Sequence, residues 1–224
     1  MATLKVSHDF ARNFYEKSAW NEQKLVVGVD EVGRGCLAGP VVSAAVALRA
    51  RRIPKIVTDS KLLTADQRNS AYEWIIQNSY WGIGITHHRH IDRENIYQST
   101  LRSMRRAYEQ LLIAVPNDPS IVLVDAMPLQ LPYELSVYAF CYGETRSVSI
   151  AAASIVAKVT RDRLMESYNL LFPRYGLAAH KGYSTPLHMQ SMAEQGASLI
   201  HRRSFTPVRT QEKSSGQQSL FGDL

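Results

Sequence analysis

Residues 28–40 read Gly28-Val29-Asp30-Glu31-Val32-Gly33-Arg34-Gly35-Cys36-Leu37-Ala38-Gly39-Pro40 and directly follow the apolar run Leu25-Val26-Val27. This pattern is typical of a buried strand that leads into a tight turn and carries two adjacent carboxylates. Carboxylates at a strand end suit cation binding, and glycines let backbone N–H groups approach a ligand closely. The stretch therefore predicts a functional site at the end of a strand.

A third carboxylate follows another apolar run, Ile121-Val122-Leu123-Val124-Asp125. Such a continuous run indicates a strand buried on both faces, and open α/β sheets place their chemistry at the carboxyl ends of the strands. If the two strands are neighbours, Asp30, Glu31 and Asp125 converge. Because successive side chains of a strand point to opposite faces, Asp30 and Glu31 can share a site only if the strand bends or ends there.

Hydrophobic periodicity predicts an α/β chain. Predicted strands cover 25–30, 41–48, 81–85, 121–125 and 135–140. Predicted helices cover 8–18, with Phe10 and Phe14 packing, then about 64–78 behind a Thr64/Gln67 capping box, 93–114, 149–171 and a shorter helix from Pro186 to before Gly196. From Pro207 onward the chain is polar, so we expect a core domain over 1–206 and a flexible tail over 207–224.

The bulk composition favours a polyanionic partner, since the 224-residue chain has a net charge of +6 and a pI near 9.4. Basic residues that merely solvate helix faces are the alternative. Two cysteines without CxxC spacing support neither a structural zinc site nor a disulfide framework. No signal core or membrane-length apolar run is present, so we expect a cytoplasmic protein, with a monomer as the default.

Three more motifs complete an ordered set: Asp59-Ser60-Lys61, a helix segment from Ser149 to Asp162 and His180-Lys181-Gly182-Tyr183. Together with the first two, they resemble the ribonuclease HII family from about Leu25 to about Phe205. The resemblance implies a ribonuclease H-like mixed sheet flanked by helices, with a helical C-terminal portion. It also implies an endonuclease that cuts the RNA strand of RNA–DNA hybrids and cuts 5′ to single ribonucleotides in duplex DNA, as in ribonucleotide excision repair.

The resemblance further implies that Asp30, Glu31, Asp125 and Glu144 are catalytic and that the first three hold Mg²⁺ or Mn²⁺. Glu144 stands where the family ordinarily has aspartate, and its carboxylate is one methylene longer. In the implied two-metal hydrolysis, one ion activates water and the other stabilises the leaving 3′-oxygen, which gives 5′-phosphate and 3′-hydroxyl ends. The alternative is that Glu144 is an exposed acid on a loop. In that case the protein would be a catalytically weakened nucleic-acid-binding module.

Substrate contacts are implied for Gly33, Arg34, Gly35, Lys61, Lys158, Lys181 and Tyr183. The glycine–arginine turn would approach the 2′-hydroxyl, which distinguishes RNA from DNA, and the lysines would contact phosphates. Tyr183 would pack on the next deoxyribose. The alternatives are an ion pair of Arg34 with the neighbouring acids and ordinary half-buried packing of Tyr183.

Two other features are weaker. The spacing Gly33-x-Gly35-x-x-x-Gly39 is a near miss of the dinucleotide fingerprint, but acids stand where pyrophosphate would lie, which argues against an oxidoreductase. His180, His188 and His201 are expected at the surface or against phosphate and receive no catalytic role.

The C-terminal stretch Gln217-Gln218-Ser219-Leu220-Phe221 resembles a bacterial sliding-clamp-binding peptide. The resemblance implies that Gln217, Leu220 and Phe221 contact the clamp. A terminus without any binding role is the alternative.

Overall fold

The computed structural model describes residues 3–6, 11–132 and 135–210, with side chains from residue 11 onward. In these ranges six strands form one mixed sheet in the order β1-β6-β5-β2-β3-β4. The strands are β1 (Thr3–Val6), β2 (Val26–Val32), β3 (Val41–Leu48), β4 (Ser79–Thr86), β5 (Ile121–Asp125) and β6 (Ser136–Phe140). The expected mixed α/β architecture is confirmed.

Eight helices of the described ranges accompany the sheet: α1 (Phe14–Asn21), α2 (Ala65–Asn78), α3 (His88–Glu94), α4 (Ile96–Ala114), α5 (Gly143–Arg146), α6 (Val148–Leu171), α7 (Leu177–His180) and α8 (Pro186–Gln195). A further helical segment covers 206–210. The expected capping box is present at the start of α2, where the Thr64 side chain accepts from Gln67 N and the Gln67 side chain accepts from Thr64 N. It satisfies two N–H groups that the helix leaves open.

The central pairing of the sheet confirms the expected strand adjacency. β2 runs parallel to β5, from Val26 opposite Ile121 to Val29 opposite Val124. β3 lies antiparallel on the other side of β2, and that ladder continues through Glu31 opposite Ser43 and Val32 opposite Val42. The strand therefore does not end at the acidic pair.

The chain forms two compact units. The first consists of the chain up to Val32 together with Val42–Ile85 and Thr100–Thr160, and it contains most of the sheet. Alternate residues of β3 serve two cores: Ala45 and Ala47 pack with Met104 and Leu111 of α4, whereas Ala44 and Val46 pack with residues of α6. The sheet of this unit therefore has a helix on each face.

The second unit consists of Gly33–Val41, Thr86–Ser99 and the chain from Arg161 onward. One core joins Ala38, Met165, Leu177 and other residues, and a second joins Leu37, Met192 and Val208. Because Val208 is fully buried, packed structure reaches past residue 206, where the boundary of the core domain was expected. The expected tail residues from 211 onward, including Gln217, Leu220 and Phe221, lie outside the described residues.

The structure differs from the sequence predictions in three places. The predicted helix over 93–114 corresponds to α4, but α3, which Asn95 with its φ of 79° separates from α4, was not predicted. The first helix begins at Phe14, whose side chain is 53% exposed, so the expected packing of Phe14 is wrong. Strand β1 was not predicted from the sequence. None of the helices in the described ranges has the length and apolar character that a membrane crossing requires.

Candidate active site

The register of β2 and β5 brings two aspartates to the same edge of the sheet. Val29 lies opposite Val124, and Asp30 and Asp125 are the next residues on the two parallel strands. Parallel strands end at a common edge, where side chains meet solvent. The convergence expected from the sequence therefore follows from the pairing of the strands.

Asp30 is the most buried of these acids, with 3% of its surface exposed. Burial raises the pKa of Asp30 well above its usual value, and the charges of Glu31, Asp125 and Glu144 raise it further. A hydrogen bond with Ser154 acts in the opposite direction. The other three acids thus lie within electrostatic range of Asp30, which is a costly arrangement that a cation would relieve.

Glu31 contributes its charge to the site, although β2 continues in register with β3 past this residue. Its N–H donates to Oδ1 of Asp30 at 2.7 Å, and its side chain is half-buried. The strand end that was one condition for a shared site is absent, yet the charge of Glu31 still acts on Asp30.

Asp125 is held by the start of α5. Its Oδ1 accepts from the backbone N–H of Gly143 at 2.7 Å. A Cβ at position 143 would lie 2.7 Å from a side-chain carbon of Ile150 and 3.0 Å from the same Asp125 oxygen. Glycine at this position thus allows the carboxylate and the helix start to approach each other.

Glu144 is buried, not the exposed loop acid that the sequence left as an alternative. Its Oε1 accepts from Ser154 Oγ at 2.9 Å, and Ser154 Oγ lies 2.9 Å from Ser60 Oγ. Both carboxylate oxygens lie 3.3 Å from Lys61 Nζ. Partial burial disfavours the charged form of Lys61, but the charge of Glu144 and its hydrogen bond outweigh burial, so the pKa of Lys61 is raised.

The donors of this site are hard oxygens, which fit Mg²⁺ or Mn²⁺. No three His, Cys, Asp or Glu side chains of the described ranges converge as a preformed metal centre. Mg²⁺ usually takes one or two carboxylates per ion and fills its remaining positions with water and phosphate oxygens. The carboxylates of Asp30, Glu31 and Asp125 match that mode of binding.

The second unit contains the glycine–arginine turn, which two fully buried arginines hold. Arg202 donates to the carbonyls of Gly33 (2.6 Å), Arg34 (2.8 Å) and Gly39 (3.0 Å). Burial lowers the pKa of Arg202 to about 10, so the guanidinium stays charged at neutral pH.

Arg161 acts in the same way, donating to the carbonyls of Pro40 (3.0 Å), Ala38 (3.1 Å) and Lys181 (2.8 Å). No role was assigned to either arginine from the sequence. Both are instead internal supports, because their partners are main-chain carbonyls far away in sequence.

Tyr183 also lies in this unit and is 37% exposed. The guanidinium carbon of Arg161 lies 5.7 Å from the centre of its ring. Burial, followed by the neighbouring Cys36 thiol, raises the pKa of the Tyr183 hydroxyl to about 12. The hydroxyl is therefore neutral at physiological pH.

The predicted phosphate contacts have mixed surroundings. Lys61 lies against Glu144, Lys181 Nζ lies 3.0 Å from a Glu166 oxygen, and Lys158 is half-buried. Gly35 has open space where a Cβ would stand.

The histidines that were expected at the surface are buried in the second unit. His180, His188 and His201 have exposed fractions of 8%, 0% and 1%. Aromatic rings this well buried contribute to packing, so the expectation of a surface or phosphate contact is wrong for them.

Comparison with known proteins gives consistent results. The family model described as ribonuclease HII matches residues 27–208. A ribonuclease HII of Lacticaseibacillus paracasei is 46% identical over 204 residues, covering 91% of this chain and 78% of the relative.

Solved structures are similar as well. The crystal structure of ribonuclease H2 from Pyrococcus horikoshii OT3 matches with a TM-score of 0.68 and 25% identity, covering 85% of this chain and 98% of that chain. The ribonuclease HII in a complex with PCNA from Archaeoglobus fulgidus matches with a TM-score of 0.66 and 27% identity, covering 80% and 94%.

Proposed function

The chain belongs to the ribonuclease HII family, and we propose that it both hydrolyses the RNA strand of RNA–DNA hybrids and incises 5′ to single ribonucleotides embedded in duplex DNA. The products would be 5′-phosphate and 3′-hydroxyl ends. The observation that carries the proposal is the buried Asp30 carboxylate, surrounded by Glu31, Asp125 and Glu144 at the carboxyl ends of β2 and β5.

Asp30, Glu31 and Asp125 are the residues that would hold Mg²⁺ or Mn²⁺. Two bound ions would supply activation of water and stabilisation of the leaving 3′-oxygen. The protein contributes the placement of the carboxylates: Gly143 N–H holds Asp125, and the N–H of Glu31 holds Asp30. Both bonds leave further carboxylate lone pairs for a ligand.

Glu144 is proposed as the fourth acid of the site. Ser154 and Lys61 fix its carboxylate, so its position is set by the protein before any substrate arrives. A side chain fixed in this way can orient a water molecule without losing rotamer freedom during the reaction.

Recognition of ribose is proposed for the second unit. Gly33, Arg34 and Gly35 would approach the 2′-hydroxyl, and the guanidinium of Arg202 fixes the carbonyls of the first two. Tyr183 would pack on the adjacent deoxyribose, where a hydroxyl would clash with the ring. Lys61, Lys158 and Lys181 remain proposed phosphate contacts.

The decisive experiment measures cleavage of a DNA duplex that contains one ribonucleotide, with an all-DNA duplex of the same sequence as control. We expect metal-dependent incision 5′ to the ribonucleotide, and no incision with excess chelator or in Asp125→Asn. Binding of the duplex without any incision would instead favour the nucleic-acid-binding module.

Tyr183→Ala tests recognition of the junction. The substitution should slow incision at an isolated ribonucleotide more than cleavage within a long RNA tract, because only the isolated site presents a deoxyribose next to the scissile bond. Equal losses on both substrates would assign the tyrosine to folding alone.

A second proposal concerns the tail, where Gln217, Leu220 and Phe221 would bind a bacterial sliding clamp. The PCNA complex of the Archaeoglobus relative favours this proposal, and the leucine–phenylalanine pair offers two apolar anchors in a polar stretch. Deletion of 214–224 should leave cleavage of free oligonucleotides unchanged and eliminate clamp binding in a calorimetric titration. No binding by the intact chain at about tens of micromolar, the range usual for short peptides, would refute the tether.

We also propose that the enzyme acts in the cytoplasm and as a monomer. Light scattering of the purified protein at several concentrations tests the oligomeric state. A mass that rises with concentration towards twice the 25.2 kDa of one chain would contradict the monomer.

A further inference from the structure

Three of the buried histidines of the second unit, His180, His188 and His201, have a partner at every ring nitrogen. Because a neutral imidazole has one donor and one acceptor, those partners fix the position of each proton. His201 Nδ1 lies 2.9 Å from the N–H of Ser198, which can only donate. Nδ1 of His201 is therefore the acceptor, and the proton of this ring is on Nε2.

The proton on His201 continues the pattern into the next ring. Nε2 of His201 lies 3.0 Å from Nε2 of His188, so His188 must accept there. Its own proton is then on Nδ1, which lies 2.9 Å from the carbonyl oxygen of Tyr183 and donates to it. A directional series of hydrogen bonds thus runs from Ser198 through His201 and His188 to Tyr183.

His180 holds the same segment from the other side. Its Nδ1 accepts from the N–H of Gly182 at 3.2 Å, and its carbonyl accepts from the N–H of Tyr183 at 2.9 Å. The rings of His180 and His188 stack with centroids 4.2 Å apart. The main chain of Tyr183 is therefore fixed at its N–H by His180, and at its carbonyl by His188 together with the N–H of Thr185, which donates at 2.8 Å.

We propose that His188 is a positioning residue that, through its Nδ1 hydrogen bond, sets the main chain of Tyr183 and hence the direction of its ring. The inference that the direction of the Tyr183 ring matters for discriminating the RNA-to-DNA junction rests on the proposed role of Tyr183. No reacting atom is touched by His188, so its effect on cleavage is indirect.

Two substitutions of His188 separate this bond from the rest of the network. In His188→Asn the amide nitrogen stands near the place of Nδ1 and can still donate to Tyr183. In His188→Gln the amide group stands near the place of Nε2, where it can accept from His201, but the bond to Tyr183 is lost. Both variants remove the stacked ring, so each is a control for the other.

The first measurement is the ratio of the cleavage rate at an isolated ribonucleotide to the rate within an RNA tract. His188→Gln should lower the ratio about fivefold, the usual worth of one neutral hydrogen bond, whereas His188→Asn should keep it within about twofold. A role in folding alone would lower both rates together and leave the ratio unchanged in both variants, which would overturn the inference that His188 matters for discriminating the junction.

The second measurement needs no activity. Fluorotyrosine is incorporated, the fluorine signal of Tyr183 among the 11 tyrosines is assigned with Tyr183→Phe, and its shift is compared between the two variants. A shift of the Tyr183 signal in His188→Gln but not in His188→Asn supports the positioning of Tyr183 by His188, even if the cleavage ratio does not change. In that case only the proposed recognition of the junction by Tyr183 fails. An unmoved signal in His188→Gln overturns the positioning role.

The wild-type protein gives a third readout if either variant does not fold. Nitrogen-15 NMR of the histidine rings should find the proton of His188 on Nδ1 and that of His201 on Nε2. A His188 proton on Nε2 would remove the bond to Tyr183 and overturn the proposal.

Discussion

Asp30 is the residue at which the stability of the fold and the proposed activity oppose each other. Its carboxylate is buried among three other acids, so its charged form lacks the solvation that water would give. Replacement by an uncharged isostere should relieve this repulsion while the Oδ1 acceptor for Glu31 N–H is kept. We expect Asp30→Asn to raise the free energy of unfolding of the metal-free protein and to abolish cleavage.

The measurement for Asp30→Asn is chemical denaturation in excess chelator, paired with a cleavage assay in Mg²⁺. Asp118→Asn is the matched control, because Asp118 is an exposed acid that precedes β5 and is not at the carboxyl end of a strand. It should change neither stability nor cleavage. An Asp30→Asn protein that is less stable than wild type in chelator would contradict the repulsion argument.

Glu144 permits a sharper test of a single carboxylate. Glu144→Gln can keep the acceptor for Ser154 but removes the charge beside Lys61. We expect it to lower kcat by orders of magnitude, whereas Glu144→Asp should keep substantial activity, with an altered preference between Mg²⁺ and Mn²⁺. The measurement is kcat in each metal, and an unchanged kcat in Glu144→Gln would leave Glu144 as a support of the surrounding loop only.

At the scale of elements, the packing of α6 on β2 depends on one glycine. A Cβ at position 28 would lie 2.0 Å from the carbonyl carbon of Ser149. Backbone cannot yield as a side chain can, so we expect Gly28→Ala to lower the free energy of unfolding by about 3 kcal/mol or more. Gly35→Ala is the control: with no atom within 4 Å of the added carbon, its urea midpoint should stay at the wild-type value.

Elements with a strong local pattern were predictable. β3 was predicted with its observed bounds, and α2 follows from its capping box. Helix α3 was missed because its seven residues carry little periodicity and because Asn95, with a positive φ, separates it from α4. Strand β1 was missed because its partner, β6, is far away in the chain and four residues carry little periodicity.

The site was predictable to the extent that it follows from strand ends. Asp30 and Asp125 could be placed together because parallel strands share an edge. The supports formed by Arg161 and Arg202 could not, because most of their hydrogen-bond partners are main-chain carbonyls of distant segments. Side-chain identity alone does not distinguish a buried arginine from a surface one.

At the scale of the whole molecule, the buried histidines should make the folded state sensitive to acid. Burial first, and then neighbouring histidines, lower the pKa of His88 and of His201 to about 4, and the pKa of His188 is also lowered, again first by burial. A histidine whose pKa is lowered by folding binds fewer protons in the folded state. Its contribution to stability is therefore complete above about pH 6.5 and is lost as the pH falls towards 4.

The size of the stability loss in acid follows from the pKa shift of a single histidine. For His201, a fall in pKa from 6.5 to about 4 corresponds to about 3 kcal/mol at neutral pH. Asp30 acts in the opposite direction, since a carboxyl with a raised pKa favours the folded state as the pH falls. The histidines outnumber it, so we expect the free energy of unfolding in urea to decrease steadily from pH 7 to pH 4.5. The side chain introduced by His201→Gln cannot take up a proton, so this variant should flatten the dependence of the unfolding free energy on pH. A wild-type free energy of unfolding that stays constant between pH 7 and pH 5 would show that the histidines are not held neutral by the fold.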